Sequence, residues 1–170
     1  MYEQTFGLTA KPFRLAPDAR FFYPSAQHRR ALAFLEYGLH EGEGFIVVTG
    51  EPGTGKSTLI RKLLSEHSDD PIRIATIETS ALEAEELLEM VARRFEIREG
   101  LDGSVTAIIE ALREHLTRWA RAGEKAVLIV DEAQNLPLRT IEELRMLSNL
   151  SSERGQLLQI FLVGQPGLRR

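Results

Sequence analysis

At 170 residues, 43% apolar and 27% charged, the chain has the size and composition of one globular domain with material for a core. It has no cysteine, which removes disulfides and thiolate metal sites and accords with a reducing compartment, and no apolar run approaches the roughly twenty residues that span a bilayer. The N-terminus lacks a signal-peptide layout, making a cytoplasmic setting the default, and a net charge of −4 offers no broad attraction for nucleic acid.

Residues 1–24 are rich in phenylalanine and proline, and Phe6, Phe13, Phe21, Phe22 and Tyr23 are spaced too irregularly for a helix or a strand. They predict an extended arm that packs back on the remaining residues, 25–170. Ser25 reads as the N-cap of a helix to about His40, whose Leu32, Leu35 and Leu39 share a face. Gly42 and Gly44 end that helix and open a buried strand, Phe45 to Val48.

The strand breaks into a glycine-rich turn and then a helical pattern, FIVVTGEPGTGKST over 45–58. Gly50, Gly55, Lys56 and Ser57 fill every fixed position of G-x-x-x-x-G-K-[ST], the phosphate-binding loop. A triphosphate carries several negative charges, and side chains alone would crowd it. The backbone from Gly50 through Glu51, Pro52, Gly53, Thr54 and Gly55 is therefore expected to curl round it and point N–H groups inward. Lys56 is predicted to reach the β- and γ-phosphates and Ser57 to ligate Mg²⁺, with Thr58 a further hydroxyl beside the α-phosphate. Such a loop handles only phosphates, so the adenine needs an apolar slot elsewhere. The aromatic arm is a candidate wall for that slot, and plain core packing is the other reading of the same residues.

Beyond the loop, 59–64 continues the helix, 67–71 is a polar turn and 72–77 a second strand. Ser80 with Glu83 suggests a capping box for a helix through Phe95. Ser104 is expected to cap another, in which Val105, Ile108, Ile109, Leu112, Leu116 and Trp119 repeat at helical spacing until Gly123. A buried strand over 126–130 leads into Asp131 and Glu132. Pro137 sits near the start of a helix from Leu138 to about Leu150, and a last strand covers 158–163. Alternating strands and helices, several strands uniformly apolar, predict an α/β fold with a parallel sheet covered on both faces.

The run VLIVDE, 127–132, supplies what the loop lacks. A strand ending in an acid puts Asp131 at the carboxyl edge of the sheet, where ligands of open α/β sheets bind, and there it can hold Mg²⁺. Glu132, one residue on, can polarise a water for attack on the γ-phosphate. Gln165 ends the final strand and can hydrogen-bond that water or a phosphate oxygen. Thr79, past the second strand, is a candidate tether for Glu132. The four histidines, His28, His40, His67 and His115, show no metal-ligand spacing.

These motifs together resemble an AAA+ ATPase core, a three-layer αβα P-loop NTPase of the ASCE kind. The arm FGLTAKPFRLAPDARFFYPSAQHRRALAFLEYGL, the segment EGFIVVTGEPGTGKSTLIRKLL, the stretch VLIVDEAQNLP and the ending LLQIFLVGQPGLRR resemble, more narrowly, the ExeA/GspA-type general secretion ATPases, including relatives found beside exosortase and polysaccharide-export systems. The resemblance implies Walker A at Gly50 to Ser57, where the family often has threonine in place of Ser57, Walker B at Asp131 and Glu132, and sensor 1 at Gln165. It also implies a last strand, a helical lid and an arginine finger beyond the sensor that no residue here matches. An arginine finger accounts for about 10³ to 10⁵ in rate in related NTPases, so the expectation is ATP binding with weak hydrolysis.

The function implied is Mg-dependent ATP hydrolysis driving a secretion or export apparatus, with ATP, an inner-membrane partner protein and further copies of the chain as partners. A location peripheral to the inner membrane follows. Two other readings stay open: a DNA-associated ATPase of the TniB/MuB transposition type, against which the acidic charge weighs, and a nucleotide-gated scaffold without turnover.

Overall fold

The computed structural model describes residues 2–8, 22–79, 82–100, 104–153 and 155–169. A single helical turn, α1 (Tyr2–Thr5), precedes α2 (Ala26–Glu41), whose Ser25 cap accepts from the His28 N–H at 3.3 Å. Then follow β1 (Phe45–Thr49), α3 (Lys56–Glu66), β2 (Ile72–Glu78), α4 (Ala84–Arg94), α5 (Val105–Arg121) and β3 (Lys125–Asp131). A 3₁₀ turn (Ala133–Asn135) leads to α6 (Leu138–Ser148), a short antiparallel ribbon of β4 (Ser151–Ser152) with β5 (Gly155–Gln156), then β6 (Gln159–Gly164) and a last 3₁₀ turn (Pro166–Arg169).

Four of the strands form one parallel sheet in the order β1-β6-β3-β2. The alternation of side chains along each strand builds two cores. Val127, Ile129, Phe161 and Val163 point to one face and meet Leu35 and Leu39 of α2 with Leu59, Ile60 and Leu63 of α3. Ala75, Ile77, Leu128, Val130, Ile160 and Leu162 point to the other and meet α4, α5 and α6. This is the expected three-layer α/β/α arrangement. Every residue of β6 is buried because it lies between β1 and β3, which explains its unbroken apolar run IFLV. Its one long polar residue, Gln159, donates to the carbonyls of Gly38 (2.8 Å) and Glu43 (3.3 Å), tying the end of α2 to the sheet.

Three expectations need correction. The helix after β2 begins at Ala84 with Glu83 as its cap, and Glu83 and Glu86 make a capping box in which the Glu83 N–H donates to the Glu86 carboxylate at 3.2 Å. The Ser80 half of the expected box lies outside the described residues. The Leu82 carbonyl, just before the helix, accepts from the Thr140 hydroxyl at 3.2 Å. Next, α6 ends at Ser148 and the polar stretch after Leu150 forms the β4–β5 ribbon, pinned at its base where Leu157 N–H donates to the Leu150 carbonyl at 2.8 Å. Last, the described residues of the arm differ in their packing. Phe22 sits against the α2–α3 core, whereas Phe6 and Tyr23 are 73% and 80% exposed, and Phe13 and Phe21 fall outside the described residues. Among the described residues no helix is long and apolar enough to cross a membrane.

Leu112 is fully buried between α5 and the sheet. Leu112→Ala is expected to lower stability by about 2–5 kcal/mol in urea unfolding. Met146→Ala, on the exposed side of α6, should stay within about 0.5 kcal/mol.

Candidate functional site

In a parallel sheet the carboxyl ends of all strands reach one edge, and here the register aligns them closely. Thr49 of β1 stands beside Gly164 of β6, and Glu78 of β2 beside Asp131 of β3. The first residue past β1 is tied to this edge, since Gly50 N–H donates to the Gly164 carbonyl at 3.2 Å. From there the chain turns through Gly53 at φ 77° and Gly55 at φ 84°, left-handed conformations that cost an L side chain about 1–2 kcal/mol. Thr54 folds back on the loop, its hydroxyl donating to the Glu51 carbonyl at 2.8 Å. Gly55 caps α3 without a side chain, and the first turn of α3 carries no acidic residue. Its leading N–H groups and the positive end of its dipole are thus left to an anion.

Lys56 opens α3 and reaches back across the loop, its ammonium donating to the carbonyls of Gly50 (2.8 Å) and Glu51 (3.1 Å). Its partners are neutral carbonyls, which an anionic phosphate oxygen would outcompete. Ser57, one residue on, donates its hydroxyl to Asp131 Oδ2 at 2.7 Å. The P-loop and the tip of β3 therefore meet directly, though 74 residues apart in sequence. Glu51, Pro52, Gly53 and Thr54 are exposed on the outer turn, and Thr58 is half-buried in α3.

The acidic tip is held from several sides. Asp131 Oδ1 accepts the N–H of Glu132 at 2.9 Å, which leaves the carboxylate bridged between its own turn and Ser57. Glu132 adopts φ 54° at the start of the 3₁₀ turn. The Thr79 hydroxyl lies 3.0 Å from the carbonyl of Asp131 and 2.9 Å from that of Glu132. The tether expected of Thr79 is thus made to the backbone and not to the Glu132 carboxylate. That carboxylate is instead met by the Gln134 side chain, Nε2 to Oε2 at 2.6 Å. Gln165 reaches the same edge, and its recorded bond there is through its own N–H, to Gln134 Oε1 at 2.9 Å.

One neighbour of the loop escaped the sequence reading. His28, in the first turn of α2, places Nε2 at 2.8 Å from the Thr54 carbonyl and Nδ1 at 2.8 Å from Ser25 Oγ. A carbonyl only accepts, so Nε2 carries a proton. Phe22 meets the His28 ring edge-on, 5.4 Å between centroids, so the end of the arm and the loop share a wall. The signal available was the i, i+3 spacing of Ser25 and His28 at a helix start. Nothing local connects it to residue 54.

Among the described residues no three His, Cys, Asp or Glu side chains converge on a metal position. A divalent ion at this edge would have the oxygens of Ser57 and Asp131, with the rest of its shell from phosphate and water. Mg²⁺ is ordinarily held in that way, and two oxygens 2.7 Å apart suit neighbouring ligands of an ion bound at about 2.0–2.1 Å. The glycine turn, the bare helix end, the ammonium and this oxygen pair all fit a metal-bound triphosphate.

A profile of the AAA domain matches residues 39–170. The chain belongs to this family. At the level of the family it is an ATPase core, and its P-loop, β3 tip and β6 tip are the parts of the AAA domain brought together above. The chain is 39% identical over all of its 170 residues to General secretion pathway protein A of Aeromonas hydrophila, and spans 31% of that relative's length. Among solved structures, Cdc6p from Pyrobaculum aerophilum superimposes with a TM-score of 0.70 at 21% identity, over 98% of this chain and 43% of that one. The Aeropyrum pernix ORC2 protein in its ADP form gives 0.62 at 16% identity, over 96% and 45%. At these identities the two structures share the AAA domain's fold with this chain.

A Cβ on Gly55 would stand 3.2 Å from His28 Nε2 and sit in the left-handed region. Gly55→Ala is expected to lose about 1–2 kcal/mol from backbone strain. Most of that loss should persist in a His28→Ala background, because the strain and not the histidine dominates. Urea unfolding reads both, and a Gly55→Ala protein as stable as its parent would contradict the conformation described.

Proposed function

We propose that this AAA domain binds ATP with Mg²⁺ in the crevice between the 50–57 loop and the tip of β3, and hydrolyses it. The observation that carries the reading is the 2.7 Å bond from Ser57 Oγ to Asp131 Oδ2, which couples the start of the phosphate-binding helix to the acidic strand end. The loop N–H groups and Lys56 receive the phosphates, with Thr58 beside them, and Ser57 and Asp131 hold the ion. Bound there, Mg²⁺ supplies neutralisation of the charge on the phosphate oxygens. Glu132 takes the proton of the attacking water, and Gln165 orients that water or a γ-phosphate oxygen. Phe22 and His28 form the near wall of the adenine slot.

The nucleotide cycle is read as driving a secretion or polysaccharide/protein export apparatus, through a partner protein at the inner membrane and within a homo-oligomer. The support is the identity to General secretion pathway protein A, of which the chain corresponds to a part. A net charge of −4 gives no support to a DNA-associated role.

Calorimetric titration with ATP and Mg²⁺, together with single-turnover hydrolysis, tests the site. Lys56→Ala should abolish measurable binding. Glu132→Gln should bind ATP as the parent does and lose about 10²- to 10⁴-fold in turnover. A Lys56→Ala protein that binds ATP like the parent removes the P-loop assignment. Tight binding with no turnover in the parent would leave a nucleotide-gated scaffold as the function.

A further inference from the structure

We infer that Gln134 is a positioning residue that links the Glu132 carboxylate to the end of β6, so that the strand carrying Gln165 sets where that carboxylate stands. The inference rests on the ATPase reading above and names a residue which neither the P-loop nor the acidic pair accounts for.

The Gln134 carboxamide is used at both ends. Its Nε2 donates to Glu132 Oε2 at 2.6 Å, and its Oε1 accepts the N–H of Gln165 at 2.9 Å. The partners fix the orientation of the amide, because a carboxylate only accepts and a backbone N–H only donates. Reversing the amide would put donor against donor and acceptor against acceptor. The bond to Glu132 involves a charged acceptor and belongs to the stronger class. A bridge of this kind is therefore a specified connection between two loops and not a surface contact of convenience.

The surroundings are built to let the bridge form. Gly164, the last residue of β6, leaves the carboxamide its space, since a Cβ there would lie 2.7 Å from Gln134 Oε1. On the far side the backbone of the turn is anchored to β2. Thr79 Oγ1 reaches the carbonyls of Asp131 and Glu132, and Asn135 Nδ2 donates to the Thr79 carbonyl at 3.3 Å. With the turn fixed from the β2 side, the side chain of Glu132 is the part left free to move. Gln134 is what restrains it from the β6 side. A general base must hold its oxygen within hydrogen-bond reach of a water, and a displacement of about 1 Å can cost about 10²-fold in rate. Gln134 supplies that restraint without touching the P-loop, so its effect falls on turnover and not on nucleotide affinity.

Three variants of the whole chain test this, with single-turnover hydrolysis and ATP affinity measured on each. Gln134→Ala should reduce turnover by about tenfold to a hundredfold and leave the ATP dissociation constant within about twofold. Gln134→Glu keeps the size of the side chain and an acceptor toward Gln165, but sets a like charge against Glu132. It should lose turnover at least as far while remaining folded, which a purely structural bridge between the loops would not predict. Gly164→Ala should slow turnover by crowding the same carboxamide, and the part of its effect that comes from the carboxamide should be relieved in the Gln134→Ala background, leaving the 3.2 Å approach to Leu168 Cδ2. Parent and Glu132→Gln proteins serve as controls. If the parent turns over, Glu132→Gln does not, and Gln134→Ala matches the parent, the inference is overturned while the ATPase reading stands. If Glu132→Gln turns over like the parent, the base assignment fails and this inference falls with it.

Discussion

The hydrogen bond from Ser57 Oγ to Asp131 Oδ2 at 2.7 Å joins the two halves of the site, and the fold is what makes it possible. The serine lies in the first turn of the helix after β1 and the aspartate ends β3, strands that do not touch, because β6 lies between them. Parallel pairing sends all three strands to the same edge. The in-register alignment of Thr49 with Gly164 then fixes the height of the loop above it. Were β3 to run the other way, the loop and the acid would still exist in the sequence but would stand at opposite edges of the sheet.

That arrangement places demands on the middle strand. β6 must be buried on both faces, must present an uninterrupted ladder to both neighbours, and must end without bulk where Gln134 and Leu168 approach. Its sequence, QIFLVG, answers each demand in turn. The glutamine at its start ties α2 to the sheet, the apolar run fills two cores, and the glycine at its end admits Gln134. The P-loop itself is made of weak local preferences. It is held open by bonds to its own carbonyls, through Lys56 and Thr54, and by His28 from outside. Each of these contacts is to a neutral group, so a polyanion can replace the one made by the lysine without breaking the frame.

Much of this was legible along the chain. The loop follows from four residues at fixed spacing between an apolar run and a helix. The acidic tip follows from a buried strand ending in Asp131, and α5 follows from Leu112, Leu116 and Trp119 at helical intervals. Other features depend on pairs far apart in sequence and have no local signature. His28 meets Thr54 across 26 residues, and Gln134 meets Gln165 across 31. Both residues look like ordinary polar positions until the fold brings their partners in. The start of α4 has no sequence signal that separates Glu83 from Ser80, and the Thr140 hydroxyl on the Leu82 carbonyl is a tertiary contact invisible along the chain. The β4–β5 ribbon escaped because two-residue strands leave no periodicity to detect.

The central claim is that the P-loop and the tip of β3 hold one metal-bound nucleotide between them. A crystal structure of the chain with Mg²⁺ and a non-hydrolysable ATP analogue tests it most directly. The account predicts the ion within about 2.0–2.1 Å of Ser57 Oγ, with the Asp131 carboxylate in its first or second coordination shell and the phosphates under the 50–57 loop. An analogue bound with its metal away from both Ser57 and Asp131 would contradict it.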